Sequence, residues 1–314
     1  MVSKFARKAV QGGRRNPVQN MWRVAALVAA LLCANLYCAF GQTIRVTTWN
    51  LHWFPAGSQN RVPRAVEEER ISAAAEQLKI LHPDVVLLQE IRDWDTCERL
   101  ITALKPIEYH TLVCSAFRDS FGGGVGKQQV AILAKRWAQA AWSESWTRKG
   151  KLDPPRGFAF TAIRYGEQDI GFYSLHLKSN LVRASGDLEA QLNIAKRELA
   201  AEQLVAHIRA IETNVLPSVR HIVVGGDFNT NRDQPIFVSE RTLATMMEAG
   251  FADAFAGIPL SSRITHPGSG RYPDATFDYF FVKNLKLLHA PIVTESKASD
   301  HRPVTCDFQL PVAR

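Results

Sequence analysis

Cysteine is scarce, with five in 314 residues, and Cys33 and Cys38 fall in the first 41. There is no CxxC pair and no HxxxH helix, which argues against a cysteine-rich or zincin-type zinc site. A GxSxG elbow is missing too, so a serine hydrolase is unsupported. The run "GGGVGK" at 122–127 falls short of a nucleotide-binding P-loop, because Phe121 and Gln128 stand where Gly and Ser or Thr are needed. It reads as a loop beside a substrate cleft, with Lys127 a candidate phosphate contact. No repeat, low-complexity linker or composition break divides residues 42–314, so they read as one domain.

A charge surplus is also lacking over most of the chain. The formal charge is +8, but Lys4, Arg7, Lys8, Arg14, Arg15 and Arg23 precede residue 42 without an acid among them, leaving 32 basic against 30 acidic residues. Global charge therefore says little about the substrate. The basic stretch runs into "VAALVAALLCANLYCAF", residues 24–40, and small residues follow it. Residues 1–41 read as an export signal, with an uncleaved membrane anchor as the alternative. Either places residues 42–314 outside the cytoplasm, periplasmic or secreted. In an oxidising compartment Cys97 and Cys114 could bridge, leaving Cys306 a buried thiol.

The segments "TIRVTTW" (43–49), "DVVLLQE" (84–90), 108–116, 129–135, "HIVVGG" (221–226), 276–283, 288–294 and 303–310 read as strands. Residues 156–178 form a hairpin turning at Gly166, and helices are expected over 65–81, 95–104, 187–212 and 240–249. Hairpins interrupt regular strand-helix alternation. That pattern suits two packed mixed sheets with helices outside rather than one parallel doubly wound sheet. Trp137, Trp142 and Trp146 read as packing on a sheet face.

Apolar strands repeatedly end, or begin, at a polar residue that is costly to bury alone. Asn50, Glu90 and His176 do so; Asp227 and Asn229 follow "IVVGG", and Asp300-His301 precede the final strand. Taken singly, Asn50, Asp227 and Asn229 suit turns, Glu90 and Asp300 suit loop ends, and His176 suits a satisfied core position. Asp227 and Asn229 would share a face on extended chain, with Phe228 turned into the core. Asp278, set in "ATFDYFFV", needs a compensating donor, and His301 is the expected one. Oxygen ligands from Glu90, Asn50 and Asp300 suit a hard, hydrated cation such as Mg2+, with Mn2+ or Ca2+ as alternatives. An Asp-His pair suits general acid/base work, and phosphodiester hydrolysis uses both parts. Pro303 disfavours regular pairing before it, so Asp300 and His301 should lie in a loop, free to point together at the site.

The blocks "TTWNLHW", "LLQE", "SLHLKSN", "GGDFNTN", "FDYFFV" and "SDHRPV", in this order, resemble the endonuclease/exonuclease/phosphatase superfamily over residues 43–310. The resemblance implies a deoxyribonuclease I-like four-layer α/β sandwich with its active site at one edge of two sheets. On it, Glu90 binds the metal with Asn50 alongside, Asp227 orients or deprotonates water, and Asn229 and His176 hold the phosphate. Asp278 partners His301, Asp300 supports the metal, and Arg156 matches a phosphate-contacting arginine. The hairpin histidine's usual glutamate partner would be replaced by Gln128 or Gln129. The activity implied is an exported Mg2+-dependent nuclease acting on DNA, with Lys178, Arg183 and Arg156 as phosphate contacts. The alternatives are a lipid or small-molecule phosphoesterase, and a binding module without turnover. No obligate protein partner is expected, and membrane contact is expected only through an uncleaved N-terminal segment.

Overall fold

The computed structural model describes residues 43–119, 122–182, 186–270 and 272–310. The export-signal reading of 1–41 and the phosphate contact assigned to Arg183 lie outside the described residues.

Two mixed sheets pack face to face. The first has strand order β11–β13–β1–β2–β4–β3, with β12 also on β13; its strands are β1 (Thr43–Phe54), β2 (Val85–Ile91), β3 (His110–Cys114), β4 (Gln129–Ala134), β11 (Lys286–Leu287), β12 (Ile292–Val293) and β13 (Val304–Gln309). The second runs β5–β6–β7–β8–β10–β9, from β5 (Ala140–Ser145), β6 (Gly157–Tyr165), β7 (Gln168–His176), β8 (Val219–Asp227), β9 (Ala252–Asp253) and β10 (Asp278–Lys283). Helices α1 (Arg64–Leu81) and α2 (Trp94–Leu104) cover the first sheet, and α3 (Asp187–Ala210) and α4 (Thr242–Glu248) belong with the second. This is the α/β sandwich expected from the sequence.

Parallel neighbours need a long crossover, and α1 and α3 supply it between β1 and β2 and between β7 and β8. Helix α1 buries Ile71, Ala74, Ala75, Leu78 and Leu81, then ends at His82, whose φ of 51° is left-handed and whose N–H reaches Leu78 O at 2.8 Å. Pro83 follows and forbids continuation. Asp93 caps α2 by accepting from Thr96 N at 2.8 Å. Strand β2 is buried on both faces: Val85 and Leu87 enter the core between the sheets, while Val86 and Leu88 pack under the helices. That explains why it reads as an unbroken apolar run.

Two expectations change. The segment 288–294 forms only the two-residue β12, and β5 was not foreseen, because its half-exposed alternation carries little signal. Trp142 packs on Phe160 and Trp146 on Phe158, and Trp137, though exposed, stacks on His110 of β3 at 3.8 Å. Cys97 and Cys114 are free thiols rather than a bridge. The hydrogen bond between their side chains, with burial, holds the Cys97 thiol far above its usual pKa and so disfavours the thiolate that exchange requires. Among the described residues no helix is long and apolar enough to cross a membrane.

Candidate active site

Strands β1 and β2 break register at the same level. The shift falls between Asn50 and Phe54 on one and between Gln89 and Ile91 on the other. Glu90 takes φ 59°, His52 φ 50° and Trp53 φ 49°, left-handed values that non-glycine residues adopt only when the surroundings impose them. Arg70 is one such constraint, donating to Leu51 O at 2.9 Å and His52 O at 3.1 Å. The bulge turns the Glu90 carboxylate out of the sheet, where Trp53 N reaches Oε2 at 2.9 Å and Asn50 Nδ2 reaches Oε1 at 3.2 Å.

The second sheet brings three groups level by register alone. His176 on β7 pairs with Asp227 on β8, and Asp227 pairs with Asp278 on β10. Close packing at this point depends on glycine. A Cβ on Gly225 would lie 2.7 Å from Leu87 Cδ1, and one on Gly226 would lie 2.1 Å from Leu175 O. Past Asp227 the chain does not stay extended as expected. Asn229 has φ 53°, and its N–H donates to Asp227 Oδ1 at 2.8 Å, a turn closed by the aspartate side chain. Phe228 still faces the core, fully buried.

Asn50 joins the sheets by donating also to Asp227 Oδ2 at 3.0 Å. His176 Nε2 lies 3.5 Å from Asp227 Oδ2 and 3.9 Å from Glu90 Oε1. His301 enters from the loop before β13, with Nδ1 2.8 Å from Asp278 Oδ2 and Nε2 3.9 Å from Asp227 Oδ2. Asn50, Glu90, His176, Asp227, Asp278 and His301 thus form one buried cluster, with the Asn229 turn at its edge. Pairing on β13 begins at Val304, directly after Pro303. The adjacent acid does not follow His301 inward. Asp300 is half-exposed and its Oδ2 lies 2.6 Å from His52 Nδ1, because a free imidazole outside the cluster competes for it.

Other expected residues have structural partners. All three Arg156 nitrogens are engaged, Nε with His176 O (2.9 Å), Nη2 with Leu177 O (2.5 Å) and Nη1 with Gln128 Oε1 (3.2 Å). Its position braces the end of β7 and leaves its charge beside the site. Gln129 binds Ser115, Phe117 and Gly126, so neither glutamine replaces a glutamate on His176, whose Nδ1 has no protein partner. Lys178 Nζ donates to Ser179 O at 3.0 Å.

Sequence reading missed several supports. Ser299 Oγ donates to Asn50 O at 2.7 Å and accepts from His301 N, Trp49 Nε1 donates to His301 O, and Thr265 Oγ1 accepts from Asp278 N. Trp49 and Ser299 sit inside the recognised blocks. Thr265 and His266, which packs edge-on to His301 at 4.9 Å, lie in a loop with no motif to mark them.

The electrostatics follow from burying opposed charges. Burial pushes Asp227 up to about 7; the nearby His301 works against this and Asp278 adds to it. Burial alone would lower His301, but Asp278, Asp227 and Asp300 outweigh it and raise the imidazole to about 10. His176 goes the other way, driven well below its usual value by burial and by Arg156, His301 and Lys178, and is neutral. Burial also lowers Lys178 to about 8.

A divalent cation fits this donor set. Three buried carboxylates converge, and Asp278 Oδ1 has no partner. Asp227, Asp278 and His301 offer ligand atoms within 4.8 Å of one another, yet His301 Nδ1 already occupies Asp278 Oδ2. The Glu90 carboxylate is the better match to a hard, hydrated ion; Asn50 turns its Nδ2 toward it, while Asn50 Oδ1 accepts from His52 N at 3.0 Å.

Residues 47–301 match the sequence profile of the Endonuclease/Exonuclease/phosphatase family. No curated protein sequence matches. Among solved structures, a family protein from Leptotrichia buccalis aligns at TM-score 0.58 and 18% identity, over 85% of this chain and 100% of that one. A Bacteroides vulgatus endonuclease/exonuclease/phosphatase aligns at TM-score 0.61 and 15% identity, over 86% and 100%. D. rerio TDP2, complexed with a single-strand DNA product, aligns at 0.58 and 15%, over 86% and 100%. At these identities the structural likeness speaks to fold.

Proposed function

Because this chain belongs to the endonuclease/exonuclease/phosphatase family, whose members usually hydrolyse phosphodiesters or phosphate esters, we propose that it is a Mg2+-dependent phosphodiesterase cutting nucleic acid, DNA foremost. The observation that carries this reading is the convergence of Glu90, Asp227 and the Asp278–His301 pair, from strands of both sheets, on one buried cluster. The D. rerio relative with its single-strand DNA product supports the substrate class.

Glu90, its Oε1 fixed by Asn50 Nδ2, would hold the cation, which would supply charge neutralisation for the phosphate oxygens. Asp227, buried in the cluster beside His176 and His301, is placed to orient the attacking water and accept its proton. Its Oδ2 is fixed by Asn50 Nδ2, so the water it holds is aimed. The water oxygen forms the new bond to phosphorus, the ester P–O bond opposite breaks, and the departing oxygen takes a proton from solvent. His301, protonated on both nitrogens, offers Nε2–H to a phosphate oxygen while Asp278 fixes Nδ1. Neutral His176 adds a second donor or orienting group from β7.

The basic, apolar N-terminal pattern supports action outside the cytoplasm. A lipid phosphodiester is the second reading, favoured by Leu181, Val182, Leu188 and Leu192, which stand exposed after β7 and on the first turns of α3. The test incubates the purified chain with supercoiled plasmid, sphingomyelin and bis(p-nitrophenyl) phosphate, with Mg2+ or with chelator. Metal-dependent nicking that disappears in Asp227→Ala and His301→Ala is expected. Turnover of lipid alone would move the assignment to the second reading, and inertness on all three would leave a binding module.

A further inference from the structure

Beside the cluster, a cavity of about 380 Å³ opens between the segment after β1 and the loop before β4. Its wall includes Trp53, Gln59, Asn60, Arg61, Arg92 and Lys127. It is joined to the site through Trp53, whose backbone N–H holds Glu90 Oε2 at 2.9 Å while its side chain is left half-buried in the wall. The rim is braced: Lys127 Nζ donates to Gln59 O at 3.1 Å, and Arg70 holds the carbonyls of Leu51 and His52. The carboxylate in the lining, Glu67, is already bound by Arg92 and Arg99, so the charge left facing the cavity is positive.

An aromatic face, two carboxamides and exposed cations match the parts of a nucleotide: a base with a π-face and polar edge, and a phosphate. The volume lies in the range of small-ligand pockets, roughly 300–1,000 Å³. We propose that this cavity takes one unpaired nucleotide of the strand being cut, its base stacked on Trp53, its edge read by Gln59 and Asn60, and its phosphate set against Arg61 and Lys127. A paired base cannot enter such a pocket without leaving its stack. The chain therefore prefers single-stranded or frayed substrate. This rests on the phosphodiesterase reading and adds to it the form of the nucleic acid.

The experiment measures anisotropy of a labelled penta-thymidylate and of an abasic strand of equal length and charge, on the full chain with chelator so that nothing is cut. The base-bearing strand should bind about tenfold tighter. Trp53→Ala should remove that ratio, Trp53→Phe should keep most of it, and Arg61→Ala should weaken both strands alike. Equal affinities in the unaltered chain, or a ratio that survives Trp53→Ala, would overturn the proposal, and the first comparison needs no variant to fold. Turnover of bis(p-nitrophenyl) phosphate with Mg2+ is scored separately. A chain that cleaves the ester but treats both strands alike keeps its reaction and loses this cavity. A chain that distinguishes the strands and leaves the ester intact keeps the cavity and loses the hydrolase assignment.

Discussion

Replacing Asp278 by Asn removes one charge from the centre of the cluster while leaving volume nearly unchanged. The residue is fully buried, holds His301 Nδ1 at 2.8 Å and stands opposite Asp227 across the β8–β10 ladder. Burial lowers the His301 pKa, and with Asp278 gone only the weaker pulls of Asp227 and Asp300 oppose it. The imidazole should fall from about 10 toward its ordinary value near 6.5. Each unit of that fall disfavours the imidazolium by about 1.4 kcal/mol. Imidazole NMR of the metal-free protein, scanned over pH, reads this directly: His301 stays protonated through neutrality in the unaltered chain and titrates within the scan in Asp278→Asn. Linkage fixes the companion result. A raised folded pKa contributes stability that is fully present below about 6.5 and is lost as pH rises toward about 10. The urea-stability gap between the two proteins should therefore be widest just below about pH 6.5, while the carboxylate is still ionised, and narrow as pH rises toward about 10. An unchanged His301 titration, or a gap that widens over that rise, would refute the electrostatic account of the pair.

Gln129→Glu should not restore a partner to His176. It should cost about 3 kcal/mol, because a buried carboxylate would face the carbonyls of Phe117 and Gly126 that the amide now satisfies; the drop in Tm and an unaltered His176 titration check this. Gly226→Ala should forfeit at least about 3 kcal/mol, seen as lost soluble yield or a depressed Tm, since its Cβ would meet Leu175 O at 2.1 Å. Asp307→Asn should reduce stability by about 1–3 kcal/mol near neutrality. Arg45 hydrogen bonding holds the Asp307 pKa below the ordinary carboxylate value, so this contribution is present above that value and lost as pH falls through the lowered one; urea midpoints of the two proteins should converge in acid. Glu90→Gln should weaken Mg2+ binding about tenfold or more by calorimetry, removing one of the carboxylate charges available to the cation.

The two-sheet architecture was legible because buried strands such as β2 leave continuous apolar runs and because α1 carries its apolar residues at helical spacing. The cluster was legible for a related reason. A polar residue at the end of such a run has few tolerable environments, and Asp278 among aromatics has fewest. What escaped was set by tertiary competition. Nothing in "SDHRPV" tells that Asp300 turns to His52 while His301 turns inward, since the competing imidazole lies some 250 positions upstream. Nor does "GKQQVAIL" reveal that its second glutamine is consumed by the loop before it. The left-handed residues at Glu90, His52 and Trp53 were invisible too, because none is a glycine.

The carboxamide of Asn50 reaches a carboxylate on each side of the sandwich, and one strand-width below it Gln89 Nε2 meets Ser174 Oγ across the same gap at 3.0 Å. Such a tie converts any slippage of one half against the other into misalignment of the reacting groups. Conservative changes deep between the halves, at Leu87 or Phe280 for instance, should then impair turnover before they measurably loosen the molecule. A screen that finds inactive yet well-folded variants far from any ligand would be reporting on this alignment.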